Sequence, residues 1–298
     1  MKRPKTNKSI SYSELHCLSN FSFLRSASQP AELVLRASEL GYQAIAITDE
    51  CSLAGIVKAH VAAKKYNLKL IIGAEFNLQE EIKLVALAPN RRAYSEISGL
   101  ISLARRRSPK GQYEVFLRDI IFHLKQCLLI WFPNNRDNGQ KNGYSQNYHY
   151  GHKLRTIFKE KLWLGVEHHL TGDEHIQYQQ LLSLACELDI AMVACGDVHM
   201  HIAQRKPLLD VLTAIYHNKS IEQLGSLRQS NSQRYLRSLK TLKNLYPESL
   251  ISQTQVINNQ CHFSLEELRH EYPREVVPQG KNPHTYLRNL VMKGGKKR

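Results

Sequence analysis

The chain has 298 residues, 42% of them hydrophobic, with 41 Lys and Arg against 26 Asp and Glu and a formal charge of +15. That composition supplies a core for one large domain, or a domain with an appendage, and excludes global disorder. No apolar run reaches the ~18–20 residues needed to cross a bilayer, and the basic start MKRPKTNKSISYSE lacks the apolar stretch of a secretory signal; a soluble cytoplasmic protein is expected.

The positive surplus favours a polyanionic partner, because neutralising phosphates releases counterions, with solubility alone as the plain alternative. The cysteines at 17, 51, 127, 186, 195 and 261 form no CxxC pair. They fit neither a disulfide framework nor a thiolate zinc site and read as small apolar side chains.

Residues 1–10 read as a basic leader. A first strand is predicted at 11–17, then a helix at 31–40 ended by Gly41, a buried strand at 44–48 and a helix at 54–66. Strands at 70–73 and 83–88 precede a helix at 94–106 with Tyr94, Ile97, Ile101 and Ala104 on one face. A helix at 115–124 leads to a strand at 127–132. The polar, Gly- and Asn-rich insertion 134–153 reads as a long mobile loop. Helix 154–161, strand 162–167, helix 175–188, strand 191–195 and helix 207–217 follow, and residues 238–259 read as helical.

Strands separated mainly by helices predict parallel βα units, either a closed barrel or an open doubly wound sheet. No GxGxxG or Walker sequence follows any strand, so the dinucleotide and nucleoside-triphosphate readings weaken and a distorted α/β barrel of seven strands is expected.

In such a barrel, functional side chains collect where strands end. His16, Asp49, Glu50, Glu75, Glu167, His168, His169, Asp197, His199 and His201 all fall near predicted strand ends. Imidazole and carboxylate together suit zinc, manganese or iron, and such a cluster can activate water for phosphoester hydrolysis. The bland alternative is a wet rim whose polar residues are merely solvated. The triplet 105–107 ends a helix, where Arg side chains favour the dipole, and the same run can also grip a DNA backbone. Trp131 and Trp163 read as core.

The strings YSELHCLSNFSFLRSAS, AIAITDECSLAGIVKAH, LIIGAEF and VACGDVHMHIAQRKPLLDVLTAI resemble the N-terminal polymerase-and-histidinol-phosphatase (PHP) domain of bacterial error-prone C-family DNA polymerases, which are similar to DNA polymerase III alpha. FSLEELRHEYPREVVPQG resembles the passage from that domain into the palm. The resemblance implies a seven-stranded βα barrel over 11–218, a helical connector at 219–262 and the start of a palm at 263–298, with the polymerase's catalytic aspartates further along the full-length protein. For that longer protein it implies damage-tolerant DNA synthesis on a DNA template–primer with deoxynucleotides, magnesium as cofactor, and accessory proteins of replication or mutagenesis as partners.

Set against the PHP pattern, His16 matches the first histidine of a His-x-His motif whose second position is Leu18. Arg25 stands where an aspartate is usual, Glu50 follows Asp49 where a histidine is usual, and Lys83 replaces another histidine. Glu75, Asp197 and His199 match. The resemblance thus leaves His16, Glu50, Glu75, Asp197 and His199 as a depleted metal set, able at most to retain zinc or manganese. Arg25 and Lys83 are expected to supply charge where metals sit in active relatives, balancing Glu50, Glu75 and Asp197. The alternatives are a stand-alone metal-dependent phosphoesterase and a non-catalytic interaction module.

Overall fold

The computed structural model describes residues 10–134, 143–268 and 276–297. All but Ile10 of the basic leader, and residues 135–142 of the insertion, lie outside the described residues. The chain divides into two compact units, Met1–Leu265 and Glu266–Arg298.

In the first unit the elements run β1 (Ser13–Glu14), α1 (Pro30–Glu39), β2 (Ala44–Ile47), α2 (Ile56–Tyr66), β3 (Lys69–Asn77), β4 (Lys83–Leu87), α3 (Arg91–Arg106) and α4 (Leu117–His123). They continue with β5 (Leu128–Phe132), α5 (Gly143–Phe158), β6 (Leu162–Glu167), α6 (Glu174–Leu188), β7 (Ala191–Cys195), α7 (Lys206–Tyr216), α8 (Leu239–Leu245) and α9 (Glu248–Gln260). The second unit holds α10 (Pro283–Gly295), started by Pro283 and capped by the Asn282 side chain, which accepts from the His284 N–H at 3.0 Å.

The seven strands form one sheet in chain order. Past β1 and β7 the backbone pairs again: the Leu18 N–H donates to the Val198 carbonyl at 2.8 Å and the Val198 N–H to that of His16 at 3.0 Å, which nearly closes the sheet into the expected barrel. The inner face alternates along each strand, with Ala44 and Ala46, Val85 and Leu87, Leu128, Ile130 and Phe132, and Val193 and Cys195 in one apolar core. Trp131 and Trp163 are both buried, as expected.

Four expectations are corrected or sharpened. The sheet is not uniformly parallel: β4 runs antiparallel to both β3 and β5. β3 continues past Gly73 to Asn77, leaving only residues 78–82 before β4, far fewer than a crossover needs. Gly73 permits this continuation, since a Cβ there would meet the Ala86 carbonyl oxygen at 2.5 Å. Secondly, the insertion is helical from Gly143 onward, because Gly151, Leu154 and Phe158 form a buried stripe. A Cβ at Gly151 would collide with Leu188 and stand 2.6 Å from the Trp131 ring, so α5 docks through a bare glycine. Thirdly, the segment 238–259 is two helices, broken at Pro247, which has no N–H to continue α8. Ile257 and Cys261 join the barrel core, the Trp163 indole donates to Gln253 at 3.1 Å, and Thr254 Oγ1 accepts from the Ser13 N–H at 3.2 Å, so α9 is built into the base of the barrel. Fourthly, Arg105 and Arg107 have specific partners besides a helix dipole. Arg105 donates to the Cys51 carbonyl at 3.2 Å and lies 5.2 Å from the Tyr113 ring centroid, while Arg107 pairs with Asp119 at 2.7 Å.

Candidate functional site

The inward-facing rows end at one rim of the barrel in polar residues. Glu75 follows Ile71 and Gly73, Glu167 follows Trp163 and Gly165, and Asp197 follows Val193 and Cys195, each two residues further along the same face. Because β4 is reversed, its first residue, Lys83, pairs with Asn77 on one side and Phe132 on the other and reaches the rim where its neighbours end. His16 arrives from just past β1, held by its backbone N–H donating to Glu14 at 3.0 Å.

His16 is fully buried at the centre. Its Nε2 lies 2.8 Å from Glu75 and 3.7 Å from Asp197, and its Nδ1 lies 3.0 Å from Glu167. Carboxylates only accept, so satisfying both ring nitrogens calls for an imidazolium. Burial pulls the His16 pKa down, but the bonds from Glu167 and Glu75 outweigh it and the net shift is upward. The Phe132 ring packs 5.0 Å from the imidazole.

Three cations surround this histidine. Arg25 Nη1 donates to Glu50 at 2.5 Å and to Glu75 at 2.6 Å. Lys83 Nζ donates to Glu167 at 2.9 and 3.0 Å, lies 3.7 Å from Asp197 and sits 4.6 Å from the Phe132 ring centroid. Arg234 Nη1 pairs with Asp197. Burial opposes ionisation of Glu75 and Glu167, yet Arg25 and His16 beside the first, and Lys83 and His16 beside the second, hold both well below the usual carboxylate range. Glu50 also accepts from the Tyr113 hydroxyl at 2.7 Å and the Asn77 amide at 3.0 Å.

All the residues singled out in the depleted metal set, with Arg25 and Lys83, come together here. His199 approaches Asp197 at 3.0 Å and is pushed well below the ordinary histidine range, by burial first and then by Arg25. Other candidates have different roles. Asp49 accepts from the Ser19 N–H and from the Ser19 and Ser22 hydroxyls, each at 2.7 Å, and so organises the loop after His16. The His168 ring packs 4.9 Å from that of Tyr246, and His201 Nδ1 lies 2.8 Å from the Ser28 hydroxyl. His169 sits 3.6 Å from Asp197 and 3.7 Å from Glu167, with burial lowering it to about 4.

Arg234, Asn77 and Tyr113 were not anticipated. Arg234 is delivered by backbone pairing, its carbonyl accepting from the N–H groups of His199 at 3.0 Å and Met200 at 3.2 Å. The same strap is fastened by the Asn231 amide, which donates to the His169 carbonyl at 2.6 Å, and by the Arg237 guanidinium, which donates to that of His168 at 2.6 Å.

His16, Glu167 and Asp197 bring one ligand atom each within 4.8 Å of one another, a grouping that could hold one metal ion. It does not fit a multi-metal centre, since the His16 ring nitrogens both face carboxylates as donors, Glu167 and Asp197 already face cations, and Leu18 offers no lone pair.

Residues 14–130 match the PHP domain family. The chain is 50% identical over 289 residues to an error-prone DNA polymerase of Saccharophagus degradans, covering 97% of this chain and 27% of that protein. It is 48% identical over 289 residues to the Teredinibacter turnerae error-prone DNA polymerase, again covering 97% and 27%. A solved structure from Bifidobacterium adolescentis, described as a candidate metal-dependent phosphoesterase, aligns with TM-score 0.47 and 18% identity over 66% of this chain and 89% of its own. The chain is therefore similar over residues 14–130 to the PHP domain family and along nearly all its length to error-prone DNA polymerases, of whose length it spans about a quarter.

Proposed function

We propose that this chain serves as the PHP portion of an error-prone DNA polymerase acting in damage-induced mutagenesis and translesion synthesis in the cytoplasm, and that its barrel is a non-catalytic support. The template–primer, the deoxynucleotides and magnesium belong to the longer polymerase, with residues 263–298 leading toward its palm and accessory proteins as further partners. One observation carries the reading of the barrel: Arg25, Lys83 and Arg234 each anchor on carboxylates around His16. With His16 protonated, the four carboxylates Glu50, Glu75, Glu167 and Asp197 are balanced by four cations, so the cluster is neutral without metal.

The second reading, a metal-dependent phosphoesterase, is favoured by the grouping of His16, Glu167 and Asp197. Elemental analysis of the purified chain, with a phosphodiesterase assay in added manganese or zinc, separates the two. The support reading expects little bound metal and no turnover. Near-stoichiometric metal with turnover abolished by His199→Ala would establish the hydrolase instead. The polymerase assignment is tested separately. A chimera in which this chain replaces the matching segment of the Saccharophagus degradans relative is expected to extend a primed template, and a folded but inactive chimera would count against it.

A further inference from the structure

Outside the charged cluster, α4 and its flanks carry cations interleaved with aromatic rings. Phe122 is 70% exposed. One exposed phenyl ring needs no explanation, but its surroundings do. Lys125 Nζ lies 5.5 Å from the Phe122 centroid, and the His123 ring stands edge-on to it at 5.1 Å. Arg118 is one turn earlier at i−4, on the same helix face, with its guanidinium 4.7 Å from the Phe116 centroid. Lys161, preceding β6, donates to the Lys125 carbonyl at 2.9 Å and adds a third cation next to Lys125.

The neighbouring acids are engaged elsewhere. Asp119 is held by Arg107 and the Phe116 N–H, Glu80 accepts from the Leu117 N–H, and Glu96 accepts from the Gln126 N–H with Arg92 at 4.0 Å. Neither Arg118 nor Lys125 forms an ion pair among the described residues. The face therefore presents Arg118 and Lys125, neither of them ion-paired among the described residues, beside an exposed aromatic ring.

We propose that this face binds single-stranded nucleic acid, with Phe122 stacking on a base and Arg118, Lys125 and Lys161 contacting phosphates. Cations alone would serve any polyanion. The exposed ring is what selects a single strand, since base faces are hidden in a duplex and available in an unpaired strand. Binding is sequence-tolerant and salt-dependent, because stacking needs only a π-face and the phosphate contacts release counterions. This proposal stands independently of the reading of the PHP site.

The test is fluorescence anisotropy of a labelled oligo(dT) single strand with the 298-residue chain, with a duplex of equal length and inorganic polyphosphate as competitors. Phe122→Ala is expected to weaken single-strand binding about five- to fifty-fold, as loss of one stacked base implies, and to leave duplex binding unchanged. Arg118→Glu with Lys125→Glu is expected to weaken binding strongly and flatten its salt dependence, whereas the charge-matched pair Lys240→Glu with Lys243→Glu on α8 reduces it only slightly. Melting curves confirm that the variants fold, and an unfolded charge-reversal pair is replaced by Arg118→Gln with Lys125→Gln. Wild-type affinity in Phe122→Ala would overturn the proposal, as would polyphosphate competing as well as oligo(dT). Binding of acidic proteins in place of oligo(dT) would assign the face to a different partner and equally overturn it.

Discussion

The Arg25 guanidinium lies 2.6 Å from Glu75, whose side chain is fully buried. Taking both charges out of water costs several kcal/mol per ion, and only their mutual attraction and hydrogen bonds offset it. Removing one partner therefore leaves an uncompensated buried carboxylate. Arg25→Ala is expected to lose about 3 kcal/mol of stability, the lower end of the range for such pairs because Arg25 keeps 27% of its side-chain exposure. Glu75→Gln in the Arg25→Ala background should recover part of it. An unchanged urea midpoint for Arg25→Ala would show that the pair does not support the barrel.

Metal uptake gives an independent check. Lys83 and Arg234 occupy the oxygens of Glu167 and Asp197 that a metal would need. Wild-type protein is expected to hold well under one zinc per chain after dialysis, and the Lys83→Ala, Arg234→Ala double variant to hold more, at a cost in stability. Equal zinc in both proteins would mean that these cations do not govern access to the donors.

The sequence made the barrel legible but not the way its rim is populated. The buried strands after β1 announced themselves as short apolar runs, and the resemblance named Arg25 and Lys83. Lys83 nevertheless stands at the start of its strand, where an all-parallel barrel would put it at the wrong end. Only the reversal of β4 carries it to the rim, and the clue was the length of β3. Ending the predicted strand at residue 73 hid that length, although Gly73 marks a close backbone approach inside the longer strand. Arg234 was out of reach for another reason. It lies in QSNSQRYLR, a stretch with no periodicity, and reaches Asp197 through long-range backbone pairing with His199 and Met200. The first part of α5, inside the insertion, was missed because its buried face there is built on a glycine, which composition reads as loop.

Asp49 supplies a pH signature. Burial raises its pKa from 3.8 to about 6, against the lowering effect of its serine partners. The folded state then binds this proton more tightly than the unfolded state, so the stability contribution of Asp49 falls as pH rises from about 4 to 6. The loss amounts to roughly 3 kcal/mol. Glu75 and Glu167 act oppositely: their pKa values are depressed, and the stability they confer is lost as pH falls below the usual carboxylate range. Those contributions are common to wild type and Asp49→Asn and cancel in the difference. The stability of the Asp49→Asn variant relative to wild type is therefore expected to rise between about pH 4 and 6.5, measured by urea denaturation at each pH. A flat difference would place the Asp49 titration outside this window.

Gly165 links packing to the charged cluster. A Cβ at this position of β6 would collide with Phe132 Cε1 and stand 2.6 Å from its Cδ1, so the ring must move. That ring is held on two other sides, by the His16 imidazole 5.0 Å away and by Lys83 Nζ 4.6 Å from its centroid. Displacing it presses on the histidine and lysine that hold Glu167. Gly165→Ala is expected to destabilise the chain by about 1–3 kcal/mol, the usual cost of overpacking. Phe132→Leu removes the ring and should make the second substitution nearly silent, so the two changes are strongly non-additive in a double-mutant cycle. Additive losses would mean that the strand itself, and not the Phe132 ring, resists a side chain at position 165.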